Sequence, residues 1–272
     1  MLFYLKDELI NYDIMQERHQ NREQYFRELA ITSRHYFIPY VKHFMKISDQ
    51  TTVLEIGCGD GGNLLPFAEK GCQVVGVDIS KNRISQAKEF FKMRNLSATL
   101  IASDIFELHT LEKKFDLIMI HDVIEHIGDK EGFMNNIKRY LSLGGVIFTA
   151  FPAWEMPFGG HQQICRGKVC SHLPFIHLLP NLLYKSLLKV CGEKEDTISE
   201  LMNIKETRTS VEMFHHIAKK SSYKIIDETF YFINPHYEVK FGLHPRKLYK
   251  PIGYVPYVRD FFTTSAFYLL AV

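Results

Sequence analysis

The chain has 272 residues and a net charge of +2; 46% of its residues are hydrophobic and 24% are charged. This balance is typical of a protein with a packed core, and the length suits one α/β domain with an added subdomain. The near-zero net charge gives no sign of general nucleic-acid binding, and the five irregularly spaced cysteines do not indicate a disulfide framework. Lys6, Asp7 and Glu8 interrupt the apolar start, and no uncharged apolar run approaches the length of a membrane span. We therefore expect a cytoplasmic protein without a signal peptide.

Apolar strands alternate with helices in the first half of the chain. Residues 1–50 have a mostly helical pattern, and five apolar strands follow with helices between them, over residues 52–56, 74–77, 98–102, 115–120 and 146–150. Continuous apolar strands that alternate with helices predict a parallel sheet covered on both faces.

Residues 152–205 break this alternation with several prolines and the pair Gly159-Gly160. One amphipathic helix is predicted inside this segment, over residues 181–191. The α/β pattern then resumes with a helix over 210–221 and strands over 224–233 and 263–271. We therefore predict an N-terminal helical cap, a core, an insertion that forms a lid, and a C-terminal completion of the core sheet, with bounds 1–50, 51–151, 152–205 and 206–272.

The segment from Thr52 to Gly62 reads as a buried strand, a glycine turn and the start of a helix. Such a unit holds nucleotide-like cofactors, because glycine lets the backbone turn sharply and approach a ligand closely. The spacing of Gly57, Gly59 and Gly62 also fits a dinucleotide fold. Glu55 argues against a dinucleotide, because its carboxylate would face a pyrophosphate, whereas a ligand with ammonium and sulfonium groups would be attracted. S-adenosylmethionine (SAM) is such a ligand.

The pattern E-x-G-x-G-x-G, formed by Glu55, Gly57, Gly59 and Gly61, resembles the first motif of class I SAM-dependent methyltransferases. The stretches VVGVDIS, SDI, FDLIMIHDVIEH and LSLGGVIFTAFP resemble later motifs of that family, in order and at suitable spacing. The HDVIEH ending is close to that of small-molecule O-methyltransferases such as those of quinone biosynthesis. The resemblance implies a Rossmann-like, doubly wound, seven-stranded and mostly parallel sheet whose last strand is antiparallel.

The resemblance also implies SAM as cofactor, with S-adenosylhomocysteine as its product. A carboxylate at Asp78 can accept both ribose hydroxyl hydrogens. By resemblance, Asp104 takes the adenine amino group, the Ile105 amide meets the ring, and His121 lies near the methionine part. The predicted cofactor-binding set is Glu55, Gly57, Cys58, Gly59, Gly61, Asp78, Ile79, Asp104, Ile105 and His121.

Three side chains are candidates for catalysis, although transfer of an activated methyl group forces no catalytic residue, because alignment and a dry site do most of the work. His161, in the insertion, is the preferred general base. Glu125 and His126 either act as a base, hold a divalent ion for a catechol-like acceptor, or simply anchor their loop. A zinc site of His161, Cys165, Cys170 and His172 is disfavoured by its spacing, so no metal site is predicted.

Residues 156–192 and 239–259 contain no Asp or Glu but several Lys and Arg. If both segments cover the cleft, their field favours an anionic acceptor. The run from Leu173 to Val190 also suits a lipid-linked acceptor or contact with a membrane surface, although an apolar helix that closes over its own domain explains it as well and is preferred.

These observations predict a SAM-dependent methyltransferase that acts on a small molecule or a cell-envelope precursor, with oxygen favoured as the acceptor atom. Two alternatives remain open: a SAM-binding module without catalysis, and an NAD-dependent oxidoreductase, which Glu55 argues against. No nucleic-acid partner is expected, since HDVI replaces the Asn/Asp-Pro-Pro-Tyr type of motif after the fourth strand. The oligomeric state is left open.

Overall fold

A computed structural model describes residues 21–108 and 111–272 of the chain, which divide into two compact units after Leu108. Each unit combines sheet with helices, so the predicted α/β class is confirmed. The four segments predicted from the sequence remain a proposal about domain organisation, and the first 20 residues of the N-terminal cap lie outside the described residues.

The first unit contains three parallel strands in the order β3-β2-β1. They are β1 (Thr52–Ile56), β2 (Gln73–Asp78) and β3 (Thr99–Ala102). Side chains of β1 and β2 are buried and apolar, such as Val53 and Val75, as predicted for a strand covered on both faces. Its helices are α1 (Arg22–Thr32), α2 (Ile38–Lys42), α3 (Leu65–Ala68) and α4 (Lys81–Met93), with a π-helix (Ser33–Phe37) and a 3-10 turn (Gly62–Leu64).

Helix α4 follows β2 because Ser80 caps its first turn, accepting a hydrogen bond from the Arg83 amide. Its buried face includes Phe90 and Phe91, whose rings lie 4.7 and 6.3 Å from the ring of Phe26 on α1. The N-terminal helices are thereby packed onto the element that follows the second strand.

The second unit contains five strands in the order β4-β5-β8-β6-β7. They are β4 (Phe115–His121), β5 (Leu141–Phe151), β6 (Lys224–Ile233), β7 (Arg246–Lys247) and β8 (Ser265–Ala271). Strands β4 and β5 are parallel, whereas β8 is antiparallel to both β5 and β6, as expected for the last strand. The described residues form eight strands rather than the predicted seven, because the two residues of β7 pair with β6 inside the predicted late loop.

The helices of the second unit are α5 (Lys130–Ile137), α6 (Lys168–His172), α7 (Asn181–Val190), α8 (Glu195–Thr207), α9 (Val211–Lys220), α10 (His236–Phe241) and α11 (Lys250–Gly253). Single 3-10 turns lie at Ile124–His126, Lys138–Tyr140, Gln162–Ile164, Ile176–Leu178 and Arg259–Phe262. Helix α7 confirms the predicted amphipathic helix, whereas α8 was not predicted.

The insertion has a small apolar core of its own. Tyr184 and Leu188 of α7 pack with Ile198 and Leu201 of α8, and Cys165 lies in the same cluster. Cys170 and Cys191 form a disulfide between α6 and the end of α7. The irregular cysteine spacing had not indicated a disulfide framework, and it did not predict this single bond, which forms because the turn between the two helices returns the chain upon itself. Among the described residues, none of the helices is both long enough and apolar enough to cross a membrane.

Candidate functional site

The glycine turn after β1 requires glycine at three positions. Gly57, Gly59 and Gly61 have φ angles of +71°, +53° and +82°, in the left-handed region that other residues rarely adopt. The turn is held against β2, since the amides of Gly57 and Cys58 both donate to the carbonyl of Val77, at 2.8 and 3.1 Å. The turn predicted from the motif is therefore formed, with its backbone fixed by the neighbouring strand.

Asp78, at the end of β2, is bound to this turn. One carboxylate oxygen accepts the Gly59 amide at 2.8 Å, and the other accepts the Ser80 amide at 2.8 Å. A carboxylate oxygen can accept a second hydrogen bond, so each retains capacity for a ligand hydroxyl. The two amides fix the carboxylate orientation before any ligand arrives.

Glu55 is 1% exposed at the carboxyl end of β1. Asn63 donates to its Oε1 at 2.7 Å, whereas Oε2 has no hydrogen-bond partner among the described residues. Burial raises the pKa of Glu55 to about 8; the Asn63 hydrogen bond opposes this and the charge of Asp78 adds to it. A buried carboxyl with one unsatisfied oxygen would gain much from a cationic partner.

Three further polar residues of this unit, which were not predicted from the sequence, support the turn. Asp60 is buried, and Arg22 of α1 donates to both of its carboxylate oxygens, at 3.0 and 3.2 Å. Ser33 donates to the Asn63 carbonyl at 2.8 Å. An acidic residue inside a glycine turn was the available signal for Asp60, but its arginine partner could be found only by folding.

The predicted adenine-side residues lie in one loop after β3, and Ile79 follows β2. Asp104 accepts the amide of Phe106 at 2.9 Å, which forms a local turn, and Ile105 is buried. Ile79 is 75% exposed directly beside Asp78, which is unusual for isoleucine. Cys58 is buried, and this burial raises the pKa of its thiol well above the usual value for cysteine.

In the second unit, the chain after β4 turns at Asp122, which has a φ of +52°. His121 ends β4 with its Nε2 3.5 Å from an Asp122 carboxylate oxygen. The predicted role of His121 near the methionine part of the cofactor remains a proposal.

Glu125, His126 and His161, the three predicted catalytic candidates, lie together. One ligand atom from each lies within 4.8 Å of the others, and the two imidazole rings are 5.3 Å apart. Such a set of one carboxylate and two imidazoles suits a divalent cation as well as proton transfer. From the sequence, His161 was considered as a metal ligand only together with Cys165, Cys170 and His172, and no metal site was predicted. The structure instead places His161 beside Glu125 and His126.

The electrostatics of this cluster favour the neutral forms of Glu125 and His161. Glu125 is buried with neither carboxylate oxygen hydrogen-bonded among the described residues; burial and then the charge of Asp122 raise its pKa well above its usual value. Burial also lowers the pKa of His161. Lys130 lies beside Glu125 and donates to the carbonyls of Ile127, at 2.5 Å, and Thr207; burial lowers its pKa to about 8. Lys130 was not predicted.

The disfavoured zinc alternative is inconsistent with the structure. Cys170 is bonded to Cys191, and Cys165 is buried in the apolar core of the insertion. His161 instead contacts His126. The four residues therefore do not form a common site.

Comparison with known proteins identifies the family of the chain. A family model described as a methyltransferase domain matches residues 47–228. The ubiquinone biosynthesis O-methyltransferase of Bartonella tribocorum is 33% identical over 123 residues, which cover 43% of this chain and 50% of that protein. The corresponding protein of Rhizobium etli is 37% identical over 98 residues, covering 36% and 40%. The chain thus spans about half the length, or less, of the curated relatives it matches.

Solved structures share the fold. A SAM-dependent methyltransferase from Clostridium acetobutylicum aligns with a TM-score of 0.54 at 14% identity, covering 91% of this chain and 92% of that one. The plantazolicin methyltransferase BpumL, in complex with S-adenosylhomocysteine, aligns with a TM-score of 0.53 at 13% identity, covering 95% and 88%. At these identities the likeness concerns the fold alone.

Proposed function

This chain belongs to the methyltransferase domain family, and from that premise we propose that it transfers the methyl group of SAM to a hydroxyl oxygen of a small molecule. The observation that carries the choice of oxygen is the cluster of Glu125, His126 and His161. A hydroxyl acceptor must lose its proton, and this cluster offers groups that can take it. The O-methyltransferase relatives support the same choice.

The residues of the first unit suit SAM, which supplies a methyl group already activated on a sulfonium. Asp78 would accept hydrogen bonds from the ribose hydroxyls through its remaining lone pairs. The unsatisfied Oε2 of Glu55 is matched in charge to a cationic part of the ligand. Asp104 and the Ile105 amide are proposed to hold the adenine, with Ile79 as an apolar contact; the turn residues Gly57, Cys58, Gly59 and Gly61 let the ligand approach the backbone.

In the second unit, His161 is proposed as the general base, because burial lowers its pKa and keeps its imidazole neutral near pH 7. His126 lies against it and Glu125 lies beside both. A divalent cation held by the same three side chains would instead lower the pKa of a bound acceptor hydroxyl. Both routes use the same residues, and a chelator distinguishes them.

The finer description of the acceptor rests on charge. The acid-free segments 156–192 and 239–259 favour an anionic or lipid-linked acceptor, of which a cell-envelope precursor is one class. The proposed compartment is the cytoplasm, although the Cys170–Cys191 disulfide is a type of bond that reducing compartments rarely keep.

The first test is titration calorimetry with SAM, S-adenosylhomocysteine and NADH in parallel. Micromolar binding of the first two, without NADH, is the expected result. Binding of NADH alone would overturn the assignment in favour of an oxidoreductase.

The second test measures methyl transfer to a panel of phenols and catechols. Replacing His161 or His126 by alanine is expected to reduce kcat by about 100-fold while SAM affinity is unchanged. His244→Ala, at an exposed histidine, is the matched control. If activity is lost in EDTA and returns with Mg²⁺ or Mn²⁺, the reaction uses the metal route. If activity persists in EDTA, it uses the base route. Full activity in both cluster variants would refute the role of the cluster.

A further inference from the structure

The acid-free segment near the C-terminus exposes several aromatic rings to solvent. Tyr249, Tyr254 and Tyr257 are 71%, 79% and 72% exposed, and Phe261 and Phe262 are also exposed. Tyrosine in folded proteins is usually at least partly buried, so three rings this exposed within nine positions are unusual. Exposed cations accompany them: Arg246, Lys247 and Lys250.

The acid-free segment of the insertion exposes aliphatic side chains. Helix α7 buries Tyr184 and Leu188 against α8, as expected for a helix that closes on its own domain. Its opposite face, however, leaves Leu182 and Val190 78% and 86% exposed, with Lys185 exposed beside them. Packing on the domain therefore accounts for only one face of this helix.

The two segments meet. The rings of Phe175, at the start of the Ile176–Leu178 turn, and Phe261 lie 6.3 Å apart, and both are exposed. Residues 173–190 and 243–259, with Phe261 and Phe262, are therefore joined at this ring contact within the second unit, and we call their exposed side chains together the aromatic–basic surface. Neither range contains a carboxylate side chain.

We propose that the aromatic–basic surface binds the face of a lipid bilayer that contains anionic lipids. Lys189 pairs with Glu195 and Arg259 with Glu212, but Arg246, Lys247 and Lys250 form no ion pair with a carboxylate among the described residues and complement anionic headgroups. Tyrosine is the side chain that membrane–water interfaces favour, because its ring is apolar and its hydroxyl polar. The exposed aliphatic groups of Leu182, Leu183 and Val190 match the acyl boundary.

A nucleic acid explains the surface less well. Basic residues and stacked tyrosines suit single strands, but leucine and valine offer nothing to phosphate or to a base face. The aliphatic side chains therefore favour lipid over nucleic acid. This inference does not depend on methyl transfer, because it concerns a surface outside the residues proposed for cofactor and catalysis.

The test is co-sedimentation of the full chain with phosphatidylcholine vesicles, with and without about 30% phosphatidylglycerol. Binding is expected to the anionic vesicles and to weaken as salt is raised. Lys247→Gln with Lys250→Gln should lower the partition coefficient by about 25-fold, at about fivefold per lost cation. Leu182→Ser with Leu183→Ser should weaken binding even at low salt, since it removes the apolar contact.

Matched controls separate this surface from general effects. Lys224→Gln removes an exposed cation elsewhere in the same unit, and Leu143→Ser removes an exposed leucine; both should bind as the unchanged protein does. A protein that stays in the supernatant with anionic vesicles overturns the proposal, as do surface variants that sediment like the controls. Two other results would also overturn it. One is self-association of the protein without lipid that the Leu182→Ser/Leu183→Ser variant abolishes, and the other is tight binding of single-stranded nucleic acid that displaces the vesicles.

Discussion

Replacing Glu55 by glutamine removes a buried carboxyl with little change in shape. The pKa of Glu55 is raised to about 8, so below pH 8 the free protein holds this carboxyl mostly protonated. A cationic group of SAM would favour the ionised form, so binding must release a proton at neutral pH. If only the ionised form binds well, the affinity for SAM should rise about tenfold from pH 6 to pH 7 and about fivefold from pH 7 to pH 8, or roughly fiftyfold in all.

The same residue makes a prediction for the free protein. The folded-state pKa lies above the unfolded value of 4.5, so the folded state binds the proton more tightly. The stabilisation that this gives is fully present below pH 4.5 and is lost as pH rises towards 8. From pH 5 to pH 8 the free energy of unfolding should fall by roughly 3 to 4 kcal/mol on this account. In Glu55→Gln that part of the decline should vanish.

Calorimetry at pH 6, 7 and 8, in two buffers with different ionisation enthalpies, measures both affinity and proton release; urea unfolding at the same pH values measures stability. Glu69→Gln, at a partly exposed carboxylate of the same unit, is the control. Proton release in the unchanged protein that disappears in Glu55→Gln is the expected result. An identical pH dependence of affinity in both would refute the assignment of a cationic ligand group to Glu55.

Three further predictions concern other contacts. Asp78→Ala should weaken SAM binding by about 100-fold or more, the worth of two hydrogen bonds to a charged group, while circular dichroism shows the fold retained; unchanged affinity would remove Asp78 from the site. Gly62→Ala should destabilise the first unit by roughly 1 to 3 kcal/mol in urea unfolding, because the new methyl group would lie 2.5 Å from the Phe26 carbonyl oxygen; Gly128→Ala, in open space, is the control. Cys170→Ser should lower the stability of the oxidised protein by roughly 3 kcal/mol, and a reductant should then have no further effect; equal melting curves with and without reductant in the unchanged protein would contradict the disulfide.

Much of the fold could be predicted from local sequence patterns. The apolar runs of β1, β2 and β4 appear with nearly the bounds of the structure, since a strand buried on both faces must be continuously apolar. The glycine turn could be read equally well, because only glycine adopts its left-handed angles without strain. Helix α8 was not predicted, although Ile198, Leu201 and Ile204 recur at helical spacing on its buried face.

The sequence by itself determined which residue types follow each strand and which segments contain no Asp or Glu. The tertiary structure alone decided which of those residues meet. His161 joins Glu125 and His126, and Cys170 joins Cys191, through the path of loops that no local pattern encodes. Burial likewise decided the protonation of Glu55, because the pKa of a carboxyl depends on the water and charges around it rather than on its neighbours in sequence.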